Sequence, residues 1–216
     1  MKAIVIPEPG RVEVKELPMV QRREGEAVLK LLYGGVCGSD LGTYRGVNAY
    51  AKYPCVIGHE FAAQVVWAGE NDYGIREGMI VTCNPYFNCG SGYSCRRGLV
   101  NCCTHNETMG VQREGAFAEY ISMPYERIYD GQGLEPRILS LIEPFCISSH
   151  AVNRADVREG DRVLVMGSGT IGLLAAVAAS LRGGEVYISD ISEEKLTFAE
   201  KMGIRHTILN RSKEAL

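Results

Sequence analysis

The stretch "VLVMGSGTIG" contains three glycines, Gly167, Gly169 and Gly172, in a G-x-G-x-x-G pattern. It constrains the fold more than any other feature, because it is typical of the turn between a buried parallel strand and a helix. Val163 to Met166 is apolar on both faces, as a central parallel strand requires. Thr170 to Leu181 is rich in alanine and leucine and predicts the helix.

The residues that follow continue the alternation of strand and helix. Gly183 and Gly184 end the helix with a left-handed cap, and Glu185 to Asp190 reads as a second strand. Ser192 can cap the next helix, and "HTIL" begins a third strand. Three strands with intervening helices are the first part of a doubly wound dinucleotide-binding fold, so we expect a Rossmann domain that is incomplete here.

The glycine loop is a candidate phosphate site, since a helix N-terminus offers unpaired N–H groups and a positive dipole end. The residues predicted to contact a dinucleotide are Gly167, Ser168, Gly169, Thr170, Ile171 and Gly172. Asp190 ends the next strand, where a carboxylate can accept hydrogen bonds from both ribose hydroxyls of NAD. The 2′-phosphate of NADP would meet a like charge there. An ordinary glycine turn is the alternative interpretation.

The first half of the chain consists of short β-rich runs. "KAIVI", "RVEVKEL" and "EAVLKLLYGGV" are separated by Pro, Gly and charged residues, and the second run alternates at Val12 and Val14. Such runs predict a compact β barrel or sandwich with insertions.

The composition excludes several classes of protein. A net charge of -3 over 216 residues gives no sign of binding to nucleic acid or to an anionic membrane. The N-terminal apolar run is too short for a signal peptide, and "IGLLAAVAASL" is too short to span a membrane. We therefore expect a cytoplasmic protein, in which the eight cysteines are metal ligands or buried thiols rather than disulfides.

Four residues suggest a metal site, because zinc prefers thiolate and imidazole and accepts carboxylate as a further ligand. Cys37 and His59 form one candidate pair, and Glu60 and Glu143 offer carboxylates. Taken singly, each has another explanation: a buried thiol, a turn histidine or a carboxylate at a helix start.

The motifs "GVCGSD", "GHE", "GAFAEY", "IEPF" and "GSGTIGLL" occur in this order. With them the chain resembles the zinc-dependent medium-chain alcohol dehydrogenases over essentially its whole length. "LIEPFCISSHAVNRA" is most similar to the polyol, sugar-phosphate and sugar-acid dehydrogenases of that family. The resemblance implies a GroES-like β catalytic domain over 1–154, followed by the first part of a Rossmann NAD-binding domain over 155–216.

The resemblance also implies roles for single residues. Cys37 and His59 correspond to ligands of the catalytic zinc, and the third ligand is Glu60 or Glu143, which can exchange during turnover. Ser39 corresponds to the hydroxyl that relays the substrate proton. Asp40 matches a residue that orients a ligand, while Gly42 replaces a histidine that many relatives have on the outer proton route.

The segment "CGSGYSCRRGLVNCC" resembles the family's structural zinc loop, which has four cysteine ligands. Cys89, Cys95 and Cys103 fit its spacing, but Gly92 occupies the remaining ligand position. His105 or Cys102 could substitute for the missing ligand, although adjacent residues on an extended chain point apart. We therefore expect closer to one zinc per chain than two. A zinc-ribbon binding module would explain these cysteines, but not the glycine loop or Asp190.

These features predict a zinc- and NAD-dependent dehydrogenase acting on a secondary hydroxyl of a polyol, sugar phosphate or sugar acid. The alternatives are a threonine-type amino-alcohol dehydrogenase and a non-catalytic fragment that retains metal binding. We expect a homodimer or homotetramer with a small-molecule substrate, and no nucleic-acid or membrane partner.

Overall fold

The computed structural model describes residues 1–211, which form two compact units, Met1–Ile142 and a second that begins at Glu143. The strands are β1 (Lys2–Glu8), β2 (Arg11–Glu16), β3 (Glu26–Gly35), β4 (Cys55–Val56), β5 (Glu60–Trp67), β6 (Ile80–Cys83), β7 (Tyr86–Phe87), β8 (Glu107–Thr108), β9 (Tyr120–Pro124), β10 (Ile128–Asp130), β11 (Arg162–Met166), β12 (Glu185–Asp190) and β13 (His206–Leu209). The α-helices are α1 (Gly38–Tyr44), α2 (Tyr93–Arg96), α3 (Pro136–Leu139), α4 (Ile142–Arg154), α5 (Thr170–Leu181) and α6 (Glu193–Lys201). Within the described residues, none of these helices could span a membrane.

The first unit is built mainly from antiparallel strands. One sheet has the order β2-β1-β4, a second has the order β10-β6-β5-β3-β9, and β7 pairs with β8. Both larger sheets contribute to one apolar core, in which Ile6, Leu29 and Phe61 are almost fully buried. The alternation at Val12 and Val14 does not mark a buried face, because these side chains on the edge strand β2 are 56% and 69% exposed.

The pairing of β3 with β5 determines which residues meet at one end of the larger sheet. These antiparallel strands align Gly35 with Glu60, after two irregularities in the register earlier in β3. Cys37 follows β3 by two residues, and His59 immediately precedes β5. The register therefore brings "CGSD" and "GHE" together, although the sequence separates them.

The second unit contains the predicted strand–helix alternation. Strands β11, β12 and β13 are parallel and lie in that order, and α5 packs on them through Leu173, Ala176 and Ala179. The expected bounds of α5 and β12 are confirmed. The two units have the predicted architecture, an antiparallel β region followed by parallel strands that alternate with helices. The assignment of 1–154 and 155–216 to two domains stays a prediction, and 212–216 lie outside the described residues.

Candidate functional site

Three potential metal ligands lie close together in the first unit. Cys37, His59 and Glu60 each offer one ligand atom, and these atoms all lie within 4.8 Å of one another. His59 and Glu60 are buried, and Cys37 is half-buried. A thiolate, an imidazole and a carboxylate form the kind of donor set that holds zinc with one position open for another ligand.

The buried carboxylate of Asp40 connects the two segments that carry these donors. It accepts hydrogen bonds from the backbone N–H of Cys37 at 2.9 Å and of Gly58 at 3.2 Å. Its Oδ1 also lies 3.9 Å from Nδ1 of His59. The two hydrogen bonds fix the positions of the segments that carry Cys37 and His59 relative to each other, and the carboxylate is close enough to the His59 ring to act on it electrostatically.

Three glycines next to the donors have no room for a side chain. A Cβ on Gly35 would overlap Oε2 of Glu60, so the glycine makes the observed position of that carboxylate possible. A Cβ on Gly34 or Gly58 would overlap the ring of Phe117, which is almost completely buried between them. These contacts could not be predicted from sequence, because they arise from the pairing of distant segments.

Ser39 lies in the first turn of α1, two residues after Cys37. Its Oγ is buried and has no hydrogen-bond partner among residues 1–211. Buried hydroxyl groups are nearly always hydrogen-bonded, to protein or to water. The side chain is therefore suited to bond with a water molecule or a ligand, and its predicted role as a proton relay stays a prediction.

Glu143 lies in the first turn of α4, in the second unit, and is buried. Burial, with a smaller contribution from Glu143, raises the pKa of the nearby Cys146 thiol. The predicted role of Glu143 as an alternative zinc ligand stays a prediction.

A second thiol group lies in the lobe around α2. The sulfur atoms of Cys89 and Cys103 are 3.5 Å apart, those of Cys89 and Cys95 are 3.9 Å apart, and all three lie within 4.8 Å of one another. Hydrogen bonds from backbone N–H groups lower the pKa of the Cys89 thiol to about 6, with the largest effect from Gly92 and the next largest from Ser91. Gly92 adjoins this group but contributes no side chain, so the expected fourth ligand is missing there.

The glycine loop of the second unit has the expected backbone geometry. Gly167 has a φ of 99°, which favours glycine, and Gly169 is the N-cap of α5. A Cβ on Gly172 would overlap the carbonyl oxygen of Gly167, and would approach Val165 to 3.4 Å. The third glycine thus makes the close approach of helix and loop possible, with Thr170 and Ile171 in the first turn of the helix.

Asp190 has a structural role that its position alone did not reveal. Its Oδ2 accepts a hydrogen bond from the Ser168 N–H at 2.7 Å, and its Oδ1 accepts one from the Ser192 N–H at 2.8 Å. Both bonds lower the pKa of the Asp190 carboxyl group, and the bond from Ser168 has the larger effect. The carboxylate therefore ties the glycine loop to the turn after β12.

A cavity of about 210 Å³ opens beside Asp190, at the carboxyl ends of β11 and β12. Gly167, Ser189 and Asn210 also line it. Ligands of open parallel sheets bind at the carboxyl ends of the strands, and Asn210 could have been found as a candidate because it directly follows β13.

Known proteins are similar to this chain in both units. Residues 23–132 match the family described as "Alcohol dehydrogenase GroES-like domain". L-Galactonate-5-dehydrogenase of Escherichia coli K12 is 36% identical over 192 residues, which are 89% of this chain and 56% of that protein.

Two solved structures share the fold. Galactitol-1-phosphate dehydrogenase of Escherichia coli superposes with a TM-score of 0.88 at 32% identity, over 96% of this chain and 60% of that one. An Escherichia coli CFT073 alcohol dehydrogenase (rspB) complexed with NADH superposes with a TM-score of 0.90 at 33% identity. This match covers 99% of this chain and 63% of that one. The chain thus spans 56–63% of the length of these three relatives. The chain belongs to the zinc-type medium-chain alcohol dehydrogenase family.

Proposed function

We propose that the chain is part of a zinc- and NAD-dependent dehydrogenase that oxidises a secondary hydroxyl of a polyol, sugar phosphate or sugar acid. The observation that carries the proposal is the meeting of Cys37, His59 and Glu60 next to the buried hydroxyl of Ser39. The substrate class is supported by the galactonate and galactitol-phosphate enzymes to which the chain is similar.

In this proposal Cys37, His59 and Glu60 hold the metal, with Glu143 as an alternative carboxylate. Bound zinc supplies Lewis acidity, which makes a substrate hydroxyl easier to deprotonate near neutral pH. Asp40 holds the start of α1 and the segment just before His59 in place through its bonds to the N–H groups of Cys37 and Gly58. The Ser39 hydroxyl accepts the substrate proton and passes its own proton outward.

The second unit binds the dinucleotide in this proposal. The N–H groups at the start of α5 contact the pyrophosphate, and Asp190 accepts hydrogen bonds from the adenosine ribose. Bound NAD supplies the acceptor for the substrate hydride. The residues proposed to bind it are Gly167, Ser168, Gly169, Thr170, Ile171, Gly172 and Asp190.

Metal binding can be tested on this chain by itself. Wild type should bind Co²⁺ with the charge-transfer absorption of a thiolate ligand, and Cys37→Ser should lose that band and most of its zinc. Cys146→Ser is a matched control and should keep both the charge-transfer band and the bound zinc. Equal metal binding by Cys37→Ser and wild type would contradict the proposed ligand set.

Activity is tested by following NADH production with polyols, sugar phosphates, sugar acids and L-threonine, for this chain and for any longer form that contains it. We expect turnover of a compound from the first three classes and its loss on zinc removal. Full activity after zinc removal, or a strong preference for L-threonine, would contradict the proposal.

A further inference from the structure

The three-cysteine lobe, defined here as Cys89, Cys95 and Cys103 with Gly92, has no role in the chemistry proposed above. We propose that Cys89 and Cys103 form a reversible disulfide when the chain meets a small-molecule disulfide, which makes the lobe a thiol-oxidation site.

The positions of the sulfur atoms favour this pair. Sγ of Cys89 and Sγ of Cys103 are 3.5 Å apart, so modest side-chain rotations would bring them to the bond length of about 2.05 Å. The backbone N–H of Cys89 also donates to Sγ of Cys103 at 3.3 Å. Cys95 is the more distant partner, with its sulfur 3.9 Å from that of Cys89.

Gly92 explains why these thiols are available for oxidation. A structural zinc site is closed by four ligands, which keep its thiolates bound to metal. A Cβ at position 92 would lie 3.3 Å from Sγ of Cys89, so the residue adjoins the sulfur atoms but provides none. A site with three thiols is open on that side, and Cys89 is exposed while Cys103 is half-buried.

The reaction is a thiol–disulfide exchange in two steps. The Cys89 thiolate attacks one sulfur of the small disulfide, forms a mixed disulfide and releases one small thiolate. The Cys103 thiolate then attacks the Cys89 sulfur, forms the Cys89–Cys103 bond and releases the second small thiolate. The two cysteines lose two electrons and the small disulfide gains them, so the exchange is balanced.

The experiment uses the full chain, reduced and then treated with oxidised glutathione. Remaining thiols are alkylated, and peptides are mapped by mass spectrometry while zinc is measured in the same sample. We expect a linked Cys89–Cys103 peptide, the loss of two of the eight alkylatable thiols, and full recovery with dithiothreitol.

Two variants identify the pair. Cys102→Ser, which changes an exposed neighbouring thiol, should still form the linked peptide. Cys103→Ser should not, and should leave Cys89 as a mixed disulfide with glutathione. A link from Cys89 to Cys95, a link between two chains, a stable mixed disulfide in wild type, or retained zinc with unmodified lobe thiols would each overturn the proposal.

Discussion

At the scale of single residues, the candidate metal site depends on an absent side chain as well as on its ligands. Gly35 lies opposite Glu60 in the β3–β5 ladder, and the carboxylate occupies the space that a Cβ at position 35 would fill. The position of this ligand is therefore set by a residue that cannot itself bind metal.

We expect Gly35→Ala to weaken zinc binding by about 10- to 100-fold, the range typical of residues that orient metal ligands. The added methyl group would displace the Glu60 carboxylate while leaving Cys37 and His59 in place. Competition with a chromophoric chelator measures the affinity, and Co²⁺ spectra should show a changed ligand field with the thiolate band retained.

Gly42→Ala is the matched control, because a Cβ there meets only ordinary contacts, the nearest at 3.8 Å from Asn48. It should bind zinc like wild type. Equal affinities for Gly35→Ala and Gly42→Ala would contradict the positioning role of Gly35.

Asp190 should determine the choice between NAD and NADP in an enzyme that contains this chain. A carboxylate repels the 2′-phosphate, so we expect NAD to be preferred at least tenfold in kcat/KM, about 1.4 kcal/mol. Asp190→Ala should reduce this preference for NAD over NADP, mainly by weakening NAD binding. Asp190→Asn keeps a hydrogen-bond acceptor but removes the charge, so it should also reduce the preference for NAD. Equal or better use of NADP by wild type would refute this role.

At the scale of secondary-structure elements, Asp190 couples two strand–helix turns. One carboxylate oxygen binds the loop between β11 and α5, and the other binds the turn between β12 and α6. The start of both helices thus depends on one ionised group.

This coupling predicts a dependence of stability on pH. The folded state lowers the pKa of Asp190 below its ordinary value of 3.8, so the stabilisation is present above that value and is lost as pH falls through the folded pKa. The difference in free energy of unfolding between wild type and Asp190→Asn should therefore shrink in that acidic range. Denaturant unfolding at several pH values measures it, and a difference that grows on acidification would be inconsistent with the bonds described.

The elements of the second unit could be predicted well from sequence, because local signals determine them. The glycines, the alanine-rich run and the Ser192 cap gave the bounds of α5 and β12 and the start of α6. The exposed face of β2 could not be predicted, since alternation at Val12 and Val14 does not show whether anything covers the strand. The Gly35–Glu60 contact could not be predicted either, because it depends on register shifts within β3.

At the scale of the whole molecule, the second unit has an apolar sheet edge. Strand β11 pairs only with β12 among residues 1–211, although its sequence is that of a central strand. Leu164 is 49% exposed and Met166 is 71% exposed. An apolar strand edge with unpaired N–H and C=O groups is a template for pairing with further chain.

We therefore expect this 216-residue chain to self-associate unless further polypeptide covers β11. Leu164→Lys should reduce the association, because charged residues on an edge strand oppose pairing. Val47→Lys, at an exposed position outside the strands, is the control and should not reduce it. Sedimentation velocity measures the species present, and a concentration-independent monomer for the wild-type chain would contradict this expectation.

The ring of Phe117 between Gly34 and Gly58 has a consequence for how the chain can vary. Both glycines leave space for the same phenyl ring. A larger residue at position 34 or 58 therefore requires a smaller residue at position 117. Across homologous sequences the three positions should covary rather than drift independently. Gly58 directly precedes His59 and Glu60. The substitutions possible in this metal-binding segment are therefore limited by Phe117, a residue more than fifty positions further along the chain.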